Sequence, residues 1–132
     1  MQKDTLNILH LIKYPGQGGS ERYITSLTER MHNKGCRVFL AYSDEGPLLD
    51  RMKQLNVECF HISMKNPWDI KAAKELKNLC KRLDIDVVHS HFLRENFISV
   101  YSGMMGNNAS IINTVHMLEE KKGFVRTVNR II

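Results

Sequence analysis

Cysteine is scarce in this sequence: Cys36, Cys59 and Cys80 are odd in number and form no C-x-x-C pair. That argues against a disulfide framework or a thiolate metal knuckle, and reduced thiols in a cytoplasmic protein are expected. No apolar run approaches the roughly 20 residues that a membrane-spanning helix needs. Met1 to Ile12 carries Asp4 and His10 and lacks a small-residue cleavage site, so a secretory signal is not expected. G-K-[ST] is missing, which excludes a P-loop. A full G-x-G-x-x-G is missing too, because its third glycine would stand at Glu21. There is no repeat, low-complexity tract or internal linker.

What is present fits one globular domain. The 132 residues are 42% hydrophobic and 25% charged, and a chain this long buries roughly two-thirds of its unfolded surface. The formal charge is +5 with histidines neutral. Such an excess favours anionic partners, but on charge alone a solvated basic surface with no assigned partner is the expected reading. A nucleic-acid partner is not expected.

Short β-rich runs alternate with helical periodicity. Leu6 to Ile12 reads as a strand covered on both faces. Ser20 to Asn33 carries Tyr23, Ile24, Leu27 and Met31 at helical spacing, with Ser20 as N-cap and Gly35 as stop. Cys36 to Tyr42 is a second strand, Gly46 to Asn56 a short helix and Val57 to Ile62 a third strand. A helix opened by Pro67 runs to about Leu83. Asp86 to Ser90 is a fourth strand, Asn96 to Met105 a helix, and Ile111 to Val115 a fifth strand. Phe124 onward reads as a last amphipathic helix, with Lys122, Arg126 and Arg130 on one stripe. That chain breaks off inside this helix, which suggests an imposed boundary. The order predicts an α/β fold with a doubly wound, parallel, Rossmann-like sheet and right-handed crossovers.

In such sheets ligands sit beyond the carboxyl ends of the strands. Three places there carry chemistry. Gly16-Gln17-Gly18-Gly19-Ser20-Glu21 follows the first strand; its glycines let backbone N–H groups approach a phosphate at a helix N-terminus, or simply make a turn. In Asp86-Val87-Val88-His89-Ser90-His91, period two puts His89 and His91 on one side. H-x-H can ligate zinc, but no nearby His, Cys or carboxylate completes a set, so no metal is expected. One histidine is expected to be structural and bonded to backbone, the other to touch a ligand. Asn113-Thr114-Val115-His116 ends the fifth strand at the same crevice.

Taken in order, these segments resemble the N-terminal domains of family 4 retaining glycosyltransferases, which have the GT-B two-Rossmann architecture. The stretches that carry the likeness are Ile8-Leu9-His10, Gly18-Gly19-Ser20-Glu21-Arg22, Gly35-Cys36-Arg37-Val38, Glu45-Gly46-Pro47-Leu48, Asp86 to His91, Asn96 and Thr114-Val115-His116. The resemblance implies that residues 1–132 are the N-terminal, acceptor-side domain, with the C-terminal donor-binding domain and its paired glutamates absent. It implies that Gly18 and Gly19 lie under the donor's phosphates and that His91 stands beside the transferred sugar as the catalytic residue. Tyr14, Arg22, Asn96 and His116 are candidates for acceptor or cleft contacts. The implied reaction moves a hexosyl-type sugar from a nucleotide-diphosphate sugar to an acceptor hydroxyl, without a metal or cofactor. Expected partners are the nucleotide-sugar, a cell-envelope polysaccharide or glycolipid acceptor, and an anionic membrane at the inner face. Alone, the 132 residues are expected to be inactive. A stand-alone Rossmann-like binding module is the alternative, and a nicotinamide-dependent dehydrogenase is disfavoured by the displaced glycine loop.

Overall fold

The computed structural model describes residues 5–16, 19–114 and 128–131. Five strands, β1 (Asn7–Ile12), β2 (Arg37–Tyr42), β3 (Glu58–His61), β4 (Val87–His91) and β5 (Ser110–Thr114), run parallel, and β6 (Val128–Ile131) is antiparallel to β5. The order across the sheet is β3-β2-β1-β4-β5-β6. Successive strands are linked by α1 (Gly19–Asn33), α2 (Leu48–Gln54), α3 (Ile70–Leu83) and α4 (Leu93–Met104). The order reverses between β1 and β4, so the topological switch point lies at their carboxyl ends.

All six side chains of β1 are buried, as its nearly continuous apolar run requires of a strand covered on both faces. Alternation then divides the core. Leu9, Leu11 and Val88 pack with Leu76 and Leu79 of α3 and Ile98 of α4 on one face. Ile12, Val38 and Leu40 pack with Ile24 of α1 and with Leu48 and Met52 of α2 on the other. No helix among the described residues is long and apolar enough to cross a membrane. Cys36, Cys59 and Cys80 are free thiols.

The helix ends show why some boundaries differ from the sequence reading. Asp69, not Pro67, starts α3: its carboxylate accepts from the Ala72 N–H at 3.0 Å, while Pro67 sits in the preceding turn. Helix α1 begins at Gly19, so Ser20 lies inside the first turn and is not its N-cap. At the other end, Gly35 (φ 85°) follows α1 as expected, and Asp84 (φ 57°) closes α3 in the left-handed conformation.

The end of the chain departs most from expectation. Val128–Ile131 is a strand, not part of an amphipathic helix. Its neighbour β5 would otherwise be an edge strand with one row of backbone N–H and C=O groups unpaired, and pairing in the register Ile112↔Arg130 satisfies them. Lys122, Phe124 and Arg126 lie outside the described residues. With Arg130 on a strand, the proposed basic helical stripe does not form there, and membrane contact loses the feature that suggested it.

Candidate active site at the carboxyl ends of strands β1 and β4

His89 and His91 point to the face covered by α1, two residues apart on β4, and their rings stack with centroids 4.3 Å apart. Register adds a third ring. His10 of β1 pairs with His89, and its centroid lies 5.5 Å from His89 and 5.2 Å from His91. His10 Nδ1 is 3.1 Å from His91 Nε2, and His10 Nε2 is 3.3 Å from Thr28 Oγ1 on α1. His89 Nε2 is 2.7 Å from Thr114 Oγ1 at the end of β5. This partner is a side-chain hydroxyl. All three rings are buried, and His91 is 0% exposed. Burial, with His89 nearby, drops the His10 pKa to about 3, so that imidazole is neutral at physiological pH. Tyr23 of α1 lies edge-on to His89 and His91, at 6.3 and 6.1 Å, and is itself 38% exposed.

A second buried titratable group sits just beyond β1. Glu95, in the first turn of α4, is 2% exposed and accepts from the Lys13 N–H at 2.6 Å. Burial raises its pKa to about 7 against the opposing Lys13 hydrogen bond, so it is partly protonated near neutrality. The residue before α4 is strained: Phe92 adopts φ 77° and ψ 165°, a region almost reserved for glycine. It is held from β5, where the Thr114 carbonyl accepts its N–H at 3.1 Å. With its amide oriented to satisfy both groups, Asn113 donates to the Ser90 and Phe92 carbonyls at 3.1 and 3.3 Å. Strain of this kind clusters where structure serves a site.

The loop after β1 is fixed at several points. The Lys13 carbonyl accepts from the Ser43 and Asp44 N–H groups, and the Pro15 carbonyl from Leu48 N–H. A Cβ at Gly46 would stand 2.3 Å from the Pro15 oxygen, so only glycine permits this approach. Together these contacts hold residues 13–16 against the connection between β2 and α2. His91, Phe92, Glu95 and the loop after β1 lie at the carboxyl end of the sheet, while His10 and His89 pair midway along β1 and β4. A groove of about 300 Å³ lined by Lys77, Lys81, Asp84 and Gly106 contains residues from the opposite end, away from this chemistry.

The family model for Glycosyltransferase Family 4 matches residues 17–132. The chain belongs to that family. A curated relative, the N-acetyl-alpha-D-glucosaminyl L-malate synthase of Bacillus anthracis, is 22% identical over 111 residues, 78% of this chain and 29% of its own length. A glycosyltransferase structure from Rickettsia africae superposes with a TM-score of 0.68 at 20% identity, covering 89% of this chain and 32% of that one. Anabaena HepE, solved with UDP and glucose, gives a TM-score of 0.61 at 8% identity over 79% of this chain and 28% of its own. At these identities the structures establish the fold, a Rossmann-like α/β domain shared with GT-B glycosyltransferases. The family 4 chain spans about a third of the length of these relatives.

Within this family 4 domain, the residues singled out from the sequence fall as follows. Gly19 is the first residue of α1, and Gly18 and His116 lie outside the described residues. Tyr14 is 56% exposed and its ring covers Gly16 and Gly46. Arg22 is exposed on α1. Asn96 is partly buried, and its Oδ1 is buried with no hydrogen-bond partner among the described residues. Sequence reasoning missed His10 and Glu95. His10 supplies the third histidine judged missing from the H-x-H segment, and strand register brings it there. Glu95 was legible in principle, because Glu95, Ile98, Ser99 and Ser102 recur at helical spacing on the buried side of α4.

Proposed function

We propose that the protein carrying this chain is a GT-B glycosyltransferase in which residues 1–132 form the N-terminal, acceptor-side domain. One observation carries the reading: in a family 4 chain, the glycine loop's helix and the H-x-H strand meet at the β1/β4 switch point. The substrate is a nucleotide-diphosphate sugar, a choice supported by the structural neighbour solved with UDP and glucose. The bond from the anomeric carbon to the diphosphate oxygen breaks and a bond to the acceptor oxygen forms. The acceptor hydroxyl's proton leaves with the nucleotide diphosphate or passes to solvent. Retention of configuration and a hexosyl donor are what the resemblance adds.

In this reading the N–H groups around Gly18 and Gly19 meet the donor diphosphate, where a helix N-terminus favours negative charge. His91 donates to the transferring sugar, and Asn96 and Arg22 serve the acceptor. The partner C-terminal domain closes over the cleft, orienting donor and acceptor and excluding water. The acceptor is a cell-envelope polysaccharide or glycolipid on the cytoplasmic side, and a net charge of +5 suits a phosphate-bearing one.

The test is a donor screen of the protein at the full length of its relatives. UDP-, GDP- and ADP-sugars are supplied and nucleotide diphosphate release is measured with and without lipid-linked acceptors. Release from one nucleotide class, stimulated by an acceptor, is expected. No release from any donor would overturn the reading.

A further inference from the structure

We propose that Glu95 is a positioning residue for the donor: from the first turn of α4 its carboxylate anchors the loop after β1, and so sets how tightly the nucleotide-sugar is held. Glu95 is 2% exposed, and its Oε2 accepts from the Lys13 N–H at 2.6 Å. Lys13 directly follows β1, and Glu95 belongs to the helix that follows β4. One hydrogen bond therefore crosses the switch point and joins the two connections. Further anchors grip the loop from the opposite side. The Lys13 carbonyl accepts from Ser43 N–H at 3.1 Å and Asp44 N–H at 2.8 Å, and Lys13 Nζ donates to Asp44 Oδ2 at 2.6 Å. Lys13 is thus held through its N–H by α4 and through its carbonyl by the connection between β2 and α2. Without the Glu95 acceptor, the buried side of that grip is lost and a backbone N–H must find another partner. On the glycosyl-transfer reading, which this assignment takes as its basis, the loop and the N-terminus of α1 meet the donor diphosphate. A loop fixed beforehand lowers the ordering cost of binding it.

Glutamate is a costly choice for this place. Burial raises its pKa to about 7, although the Lys13 N–H, its own backbone N–H and the charges of Arg94 and Lys13 all favour the ionised form. A neutral acceptor of the same shape would be more stable at alkaline pH, so stability does not account for the residue. Such a trade is common where a group serves a site. The backbone bears a cost at the same point. Phe92 takes φ 77°, its N–H donates to the Thr114 carbonyl, and Asn113 donates to its carbonyl. Starting there, α4 carries Glu95 on its buried side.

The experiment uses the protein at its relatives' full length, with the donor identified by nucleotide release. Steady-state kinetics at pH 8 compare wild type with three variants. Glu95→Leu removes the acceptor and Glu95→Asp falls a methylene short of Lys13; each should raise the donor KM about tenfold or more, with kcat within about threefold. Glu95→Gln keeps an acceptor at the same reach and should bring KM back to within about threefold of wild type. In the unmutated protein, the Lys13 amide proton should give an NMR resonance that moves as pH passes through about 7, a readout that needs no variant to fold. An unchanged donor KM in Glu95→Leu and Glu95→Asp would overturn the proposal. So would an equal loss in Glu95→Gln, or a Lys13 amide indifferent to pH. Wild-type nucleotide release keeps the two claims apart: negative results beside an active wild type end this proposal alone, whereas a wild type inactive with every donor ends both.

Discussion

Replacing Glu95 with Gln should stabilise the protein at alkaline pH and leave it unchanged in acid. In the fold the Glu95 pKa rises from 4.5 to about 7, first because burial penalises the charged form. A raised pKa means that the folded state holds its proton more tightly than the unfolded chain does. The stability linked to that proton is fully present below pH 4.5 and is lost as pH climbs through 7. At about 1.4 kcal/mol per pH unit, the rise corresponds to about 3 kcal/mol between those limits. Glutamine cannot ionise, and its amide oxygen can still accept from Lys13 N–H. Urea unfolding of both proteins from pH 4.5 to 8.5 isolates the effect, because other titrating groups cancel in the difference. The two should be equally stable near pH 4.5, with Glu95→Gln ahead by about 2–3 kcal/mol at pH 8. Parallel stability curves across the range would refute the reasoning.

The remaining predictions concern the frame of the site. Phe92→Gly should be more stable than Phe92→Ala by about 1–2 kcal/mol in urea unfolding, because both remove the ring but only glycine relieves the backbone at φ 77°. The usual order, alanine above glycine, would show the strain to be absent. Asp69→Ala should cost about 1 kcal/mol by loss of the α3 cap. Backbone N–H donation, first from Lys65, lowers the Asp69 pKa, so this contribution is present above pH 3.8 and fades as pH falls below it. Equal stability of the two proteins at pH 7 would remove the cap. Leu76→Ala, at a fully buried position under the α3 face, should cost 2–5 kcal/mol, roughly, in the same assay. A loss below about 1 kcal/mol would mean the core collapses around the gap.

The alternation of elements was readable because each of the first five strands and four helices carries its own period, with punctuation such as Gly35. What the sequence hid was geometry between elements. His10 looked like one more residue in an apolar strand, since nothing local says that β1 lies beside β4 in the register His10↔His89. Glu95 stayed hidden because the helix was expected to open at Asn96. A phenylalanine at positive φ is not a readable start signal, so the three residues that put Glu95 on the buried stripe were assigned to a loop. Val128–Ile131 has no strict alternation, and its strand state comes from the edge of β5 that it covers, a tertiary effect that outweighs helical spacing.

The central claim is that a nucleotide-sugar reacts at the carboxyl ends of β1 and β4, and the most direct measurement is turnover of the His91→Gln enzyme at its relatives' full length. With the donor identified by nucleotide release, transfer at saturating donor is compared between wild type and variant, with folding checked by circular dichroism. Loss of a preorganised donor to the transferring sugar predicts a fall of about 30- to 1,000-fold in kcat, equivalent to roughly 2–4 kcal/mol of barrier. Wild-type turnover in a folded His91→Gln protein would contradict the account.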